Sequence, residues 1–307
     1  MRVEVLVDGS GFWRRLSQDI TASERSILLQ TYSFEGDTAG LALARALRSA
    51  RAQDRRVLVD EFTKHRINDK FLYHPRHLLD RGLWREVRAT RRMYRELARE
   101  GIALRFTNPV GWLFARLPYR NHKKLVVIDD RVAYVGGINF TDHNYDWHDL
   151  MLRVESNEVA SFLAQDFDWT WRGRNQATAR SFDGLEIHVL GGHMNEIQFD
   201  RALDLLAEAR DEIFVESPYL APPFSDALHA ASERGVRVVV VTPESNNWRL
   251  CADHIRWKAA TSKMELRLYP GRMTHMKAML VDRRQLIMGS TNFELWSYRF
   301  QQEFLCI

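Results

Sequence analysis

Buried-looking runs of five to seven apolar residues alternate along the chain with stretches in which apolar positions recur every three or four residues. That alternation is the signature of short strands separated by amphipathic helices. The segment VEVLVDGSGFWRRLSQDITASERSILLQTYSF reads as strand, Gly turn, helix and buried strand, beginning with a strand over Met1 to Val7. ALARALRSARAQDRRVLVDE and RELAREGIALRFTNP each add a helix and a Val/Leu-rich strand. The pattern predicts an α/β fold with a mixed or parallel sheet.

The pattern occurs twice, in the same order. EIHVLGGHMNEIQFDRALDLLAEARDEIFVESPYL parallels the opening segment, FSDALHAASERGVRVVVVTPE the second, and KAATSKMELRLYPGR the third. The most alike pair is NHKKLVVIDDRVAYVGGINF from Asn121 and THMKAMLVDRRQLIMGSTNF from Thr274. Offsets between the copies fall from 181 at Val57 and Val238, through 162 at Leu104 and Leu266, to 153 at His122 and His275. The first copy therefore carries 19 extra residues between Glu61 and Gly101, rich in arginine, and 9 more between Asn108 and Asn121, rich in apolar residues. Two domains are predicted, residues 1–175 and 176–307. A helix-like stretch, Asn157 to Trp171, follows Leu150–Val154 and has no counterpart after the final segment. Either the chain is cut after Ile307 or the second half ends on a bare strand edge.

With 45% apolar and 27% charged residues, the 307-residue chain has the composition of a globular protein with a sizeable core. A formal charge of +4 permits an anionic partner, lipid or nucleic acid, without choosing between them. Cys251 and Cys306 are the only cysteines, which suits a reducing compartment. No run approaches the ~18 apolar residues of a spanning helix, and the first residues lack the layout of a signal peptide. The expected location is cytoplasmic.

Each copy contains H-x-K-x4-D-x6-G-[GS]-x-N: His122, Lys124, Asp129, Gly136, Gly137 and Asn139, then His275, Lys277, Asp282, Gly289, Ser290 and Asn292. In an extended strand residues i and i+2 share a face, so each copy presents an imidazole beside an ammonium. Lysine is a point charge for an anionic oxygen, and a neutral imidazole can act as nucleophile or proton shuttle. Asp129 and Asp282 fall at the opposite parity, as structural partners near a strand end. The glycines allow close backbone approach, and the asparagines can donate amide hydrogen bonds. If the halves pack about a pseudo-twofold axis, the two sets converge on a group with several anionic oxygens, most naturally a phosphodiester. The cluster Asp142, His143, Asp146, His148 and Asp149 lacks a spacing that would gather three metal ligands, and reads as polar loop.

These blocks resemble the phospholipase D superfamily and, over nearly the whole chain, its cardiolipin-synthase-like branch. The Tyr145-x-Trp147-x-Asp149 segment leading into LMLRVES, and Glu303 downstream of the second block, extend the likeness. Gly137 and Met151 stand where a serine or a histidine is often found. The resemblance implies two phospholipase D-like halves, each a mixed sheet flanked by helices, with one active site between them. It implies catalysis by His122, Lys124, Asp129, His275, Lys277, Asp282, Asp149 and Glu303, with His122 as nucleophile and His275 as general acid and then base. Lys124, Asn139, Lys277, Ser290 and Asn292 would bind phosphate, and Asp149 and Glu303 would orient the histidines. No metal or cofactor is required.

The superfamily contains lipid enzymes and nucleases, so the chemistry leaves the substrate open. The PVGWLFARLP segment before Asn121 suits a bilayer interface or acyl chains. The arginine-rich insertion suits anionic headgroups, or else is a solvated amphipathic helix carrying Glu86, Glu96 and Glu100. The reading is a monomeric, peripheral phosphatidyltransferase of cardiolipin-synthase type at the inner face of the membrane. It would act on phosphatidylglycerol-like phospholipids through a phosphohistidine, with hydrolysis as a side activity. The alternatives are a metal-independent nuclease and a non-catalytic phosphate-binding module.

Overall fold

The computed structural model describes all 307 residues, Met1–Ile307, and divides them into two compact units. The first comprises Met1–Asp146 and Leu150–Asn175, the second Trp147–Asp149 and Gln176–Ile307. Three residues of the first repeat, Trp147–Asp149, are thus packed with the second.

In the first unit the strands are β1 (Arg2–Val7), β2 (Ser26–Thr31), β3 (Asp54–Asp60), the small hairpin β4 (Arg66–Ile67) and β5 (Lys70–Phe71), β6 (Ala103–Thr107), β7 (Leu125–Ile128), β8 (Val132–Gly136) and β9 (Leu150–Glu155). The helices are α1 (Asp8–Ala22), α2 (Thr38–Ser49), α3 (Arg81–Arg99), α4 (Asp142–Asp146) and α5 (Asn157–Trp171). Seven strands form one sheet in the order β1-β9-β8-β7-β2-β3-β6. The pairs β2/β3 and β3/β6 are parallel and the rest antiparallel. Parallel neighbours need a crossover, which α2 and α3 supply.

The second unit repeats that order. Its strands are β10 (Thr178–Phe182), β11 (Leu185–Gly191), β12 (Glu212–Glu216), β13 (Arg237–Pro243), β14 (Glu265–Tyr269), β15 (Ala278–Val281), β16 (Gln285–Gly289) and β17 (Gln302–Cys306). They lie β10-β11-β17-β16-β15-β12-β13-β14, so β11 to β14 reproduce the first sheet strand for strand, with β10 added at one edge. The crossovers after β12 and β13 carry α7 (Phe224–Glu233) and α8 (Arg249–Ala260), while α6 (Glu196–Glu208) and α9 (Leu295–Arg299) complete the set. The duplicated mixed sheet expected from the sequence is therefore present. The last strand, β17, lies inside the sheet, hydrogen-bonded to β11 on one side and β16 on the other.

Each sheet buries its apolar residues against its helices. Leu29, Val57, Val59, Val126 and Tyr134 meet Phe12, Leu16, Leu43 and Leu97 in the first unit. Val215, Val238 and Met279 meet Phe199, Leu228 and Ile255 in the second. The predicted turn after β1 is shorter than the sequence suggested: Asp8 alone takes a positive φ of 65°, and Gly9 and Gly11 lie inside α1. Gly9 is needed there for packing, since a Cβ would sit 2.6 Å from the Tyr145 Cα.

The arginine-rich insertion folds as α3. Asp80 caps its N-terminus by accepting from the Leu83 N–H, and Leu83, Val87, Thr90, Met93 and Leu97 form a buried stripe at helical spacing. The shorter insertion forms a turn over Trp112–Phe114 in which Trp112 is 83% and Leu113 75% exposed. No helix is long and apolar enough to cross a membrane.

Candidate active site

The first motif enters β7 from a short extended segment, and its alternating side chains are sorted by parity. Lys123 is completely buried and its Nζ donates to both oxygens of Asp166 on α5, at 2.7 and 2.8 Å. His122 and Lys124 therefore take the other face. Lys124 Nζ donates to the His122 carbonyl at 2.7 Å. The segment is held from the N-terminal side as well: Asp60, at the end of β3, accepts from the Asn121 N–H at 2.7 Å and from Arg120 Nη1 at 2.9 Å. Gln30 Nε2 donates to Asn121 Oδ1 at 2.8 Å. The edge of the Tyr32 ring meets the imidazole with centroids 5.0 Å apart, and burial pushes the Tyr32 phenol up to about 12.

Asn139 follows β8 and its Oδ1 accepts from the Ser33 N–H and the Thr31 hydroxyl, both at 3.3 Å. That commits the amide oxygen to the protein and makes the NH2 group the donor end. The motif glycines are places of close approach. A Cβ on Gly136 would lie 2.4 Å from the Leu150 carbonyl, and one on Gly289 2.0 Å from that of Phe304. The residues that follow, Gly137 and Ser290, donate their N–H groups to those same carbonyls.

In the second motif His275 Nδ1 lies 2.7 Å from Asp149 Oδ2, and both residues are buried. Asp149 reaches it because Trp147–Asp149 runs alongside the motif: the His148 N–H donates to Met273 O, and the His275 N–H to His148 O. Lys277 Nζ donates to the His275 carbonyl, as Lys124 does to His122. It also lies 2.8 Å from His275 Nδ1. A protonated Nδ1 facing the Asp149 carboxylate donates to it, and then cannot accept from the ammonium. Burial pushes the Lys277 ammonium down to about 8, against the upward pull of Asp149 and Glu303. Trp147 packs against the imidazole at 4.9 Å, and the edge of Tyr219 meets it at 6.0 Å.

Glu303 is fully buried on β17, accepting from Ser290 Oγ at 2.6 Å and Ser297 Oγ at 3.1 Å. Ser290 also accepts from the Phe304 N–H. Its hydroxyl is thus engaged with Glu303, and the first motif, with Gly137, has no equivalent. Asn292 Oδ1 is buried without a hydrogen-bond partner.

The motif aspartates sit elsewhere and do a different job. Asp129 accepts from the backbone N–H groups of Glu24, Arg25 and Ser26, and Asp282 from those of Arg210, Asp211 and Glu212. Burial raises both carboxyls, but the N–H donors outweigh it and hold them below their usual value. Each anchors the start of the strand beside its motif, β2 or β12. That is the structural role their parity suggested. The acids and histidines read from the sequence as a polar loop instead begin with the short helix α4, and they have defined partners: Asp142 accepts from the Thr38 and Ala39 N–H groups at the start of α2, and His148 Nε2 lies 3.7 Å from Glu216.

Sequence reasoning missed the two tyrosines. Tyr32 and Tyr219 both lie in the segment just after the matched strands β2 and β12, one position out of register, so comparison of QTYSF with ESPYL held the signal. It also missed a cavity of about 480 Å³ within the second unit, beside Trp147, whose walls include Asn246, Asn247, Tyr269 and Arg272. The Tyr219 hydroxyl donates to Asn247 Oδ1 at 2.5 Å, which ties this wall to the ring beside His275.

The family model described as cardiolipin synthase, PLD-like domain matches residues 16–171 and 202–307. The chain is 25% identical over 336 residues to the major cardiolipin synthase ClsA of Bacillus subtilis, covering 98% of this chain and 64% of that protein. It is 24% identical over 323 residues to cardiolipin synthase B of Escherichia coli K12, covering 95% and 73%. Among solved structures, phosphatidylserine synthase of Haemophilus influenzae aligns with a TM-score of 0.70 at 15% identity, over 99% of this chain and 81% of that one. Polyphosphate kinase of Porphyromonas gingivalis aligns at 0.62 and 15%, over 99% and 47%. These structural likenesses speak for the fold. With both repeats matched, the chain belongs to the cardiolipin synthase, PLD-like domain family.

Proposed function

We propose that the protein is a phosphatidyltransferase of cardiolipin-synthase type, acting on phosphatidylglycerol-like phospholipids, with hydrolysis as a side reaction when water replaces the acceptor alcohol. The observation that carries this reading is the buried Asp149–His275 contact at 2.7 Å. A carboxylate on Nδ1 fixes the tautomer and makes Nε2 the nitrogen that exchanges the proton, the arrangement a general acid and base requires.

In the first step His122 attacks phosphorus, the P–O bond to the leaving glycerol breaks, and His275 supplies the proton to that oxygen. In the second, His275 takes the proton of the acceptor hydroxyl, whose oxygen attacks phosphorus and releases His122. Lys124, Lys277 and the amide NH2 groups of Asn139 and Asn292 stabilise the charge on the non-bridging oxygens. The cavity beside Trp147, with two amides, a phenol and a guanidinium on its walls, suits an acceptor polyol.

The exposed Trp112 and Leu113 support peripheral attachment to a membrane, here placed at its inner face, since an apolar loop of this kind gains by entering a lipid interface. Incubation with labelled phosphatidylglycerol vesicles, followed by separation of products, tests the function. Transfer product from the wild type and its loss in His122→Ala are expected. Cleavage of single-stranded DNA in excess chelator, with intact lipid, would replace this reading by the nuclease. Deleting residues 112–117 is expected to abolish vesicle binding.

A further inference from the structure

The first unit holds a cavity of about 780 Å³ between α3, β6 and the turn after β3. That volume falls within the range of small-molecule sites, roughly 300–1,000 Å³. None of the motif residues lines it. Its interior is mostly apolar, with Ile67, Val87, Tyr94 and Phe106 on the walls. Its rim is cationic.

The cations come from one face of α3: Arg88, Arg91, Arg92 and Arg95. Arg92 is paired with Glu96 at 2.8 Å, but Arg88, Arg91 and Arg95 have no carboxylate within 4.0 Å. Lys64 joins them, its Nζ 3.8 Å from the centre of the Phe106 ring and 3.6 Å from Glu61 Oε1. Like charges three and four residues apart on a helix repel by about 0.2–0.5 kcal/mol per pair. An anion held among them removes that repulsion, and guanidinium groups match phosphate oxygens in geometry as well as charge. A bare inorganic anion would leave the apolar interior unfilled, and a nucleic acid strand needs an extended track rather than a compact cavity. The combination of apolar walls and a cationic rim fits an amphiphile.

We infer that this cavity binds one molecule of anionic phospholipid, with an acyl chain among Ile67, Val87 and Phe106 and the phosphate on Arg88, Arg91 and Arg95. The site is distinct from the reacting lipid of the proposed function and needs no turnover. It differs equally from non-specific attraction to a charged surface, because it is saturable and buries a chain.

The test uses the full chain and a phosphatidylglycerol carrying a photoreactive group at the end of one acyl chain, with peptides mapped after irradiation. Labelling of peptides containing Ile67 or Phe106 is expected, falling about tenfold in Arg88→Gln/Arg91→Gln/Arg95→Gln. These exposed substitutions leave the buried stripe of α3 intact, and an unchanged melting temperature confirms folding. Competition by unlabelled anionic lipid, with none by inorganic phosphate or a neutral lipid, would support the assignment. It is overturned if label appears only on the Trp112–Leu117 loop or the motif peptides, if the triple variant labels as well as wild type, or if single-stranded oligonucleotide displaces the probe and anionic lipid does not.

Discussion

In the proposed mechanism the second histidine depends on Asp149, whose carboxylate lies 2.7 Å from its Nδ1. Replacing it with asparagine removes the charge that holds Nδ1–H, and by analogy with buried acids in other catalytic sets this lowers kcat by about 10³–10⁴-fold. A second consequence separates this role from a merely structural one. Asp149 raises the Lys277 pKa, which burial has pushed down to about 8. If the Lys277 ammonium binds phosphate, kcat/KM of the wild type falls as pH rises through about 8. In Asp149→Asn the alkaline limb moves to lower pH. A profile that stays flat to pH 10 would remove Lys277 from the phosphate site.

The elements around the motifs explain why the side chains hold still. The Lys123–Asp166 pair ties the first motif to α5 from the face opposite His122, with both groups buried. Breaking it by Asp166→Ala strands a buried ammonium and costs about 3–5 kcal/mol in denaturant unfolding. The double change Lys123→Met/Asp166→Leu recovers most of that loss, because the unpaired charge is gone. A different acid controls pH stability. Glu35, buried before α2 and within 4.8 Å of Asp37 and Glu86, has its carboxyl pushed up to about 9, first by desolvation and then by Glu86. A raised folded-state pKa favours the protonated form, so its contribution to stability is complete below pH ~4.5 and is lost as pH rises toward 9. Melting temperatures measured from pH 5 to 9 should therefore fall less steeply in Glu35→Gln. An identical slope would mean that Glu35 is ionised in the fold.

Legibility in the sequence followed from how local each signal is. That the two sheets share one strand order was implicit in the matched blocks, because the same pattern must bury the same faces twice, but the order itself was not. His122 with Lys124, and the close-approach glycines, could be read from parity and chemistry alone. The pairing of Asp149 with His275 could not, since it spans 126 positions and depends on Trp147–Asp149 packing with the second unit. Lys123 looked like one more basic residue of NHKK, and only Asp166, 43 positions on, shows it to be an anchor. The tyrosines were hidden by a one-residue register shift between repeats.

For the molecule as a whole, the proposed mechanism requires His122 and His275 to serve one reaction. Residues that act as a unit show non-additive losses. His122→Ala, His275→Ala and the double variant should therefore have nearly equal residual transfer activity. Independent losses that multiply in the double variant would mean that each repeat works alone. The most direct measurement is to quench wild-type enzyme in alkaline denaturant during turnover of phosphatidylglycerol and locate the covalent phosphatidyl group by peptide mass spectrometry. An adduct on the peptide bearing His122, absent from His122→Ala, is the expected result. An adduct on His275 instead, or undiminished transfer by His122→Ala, would contradict it.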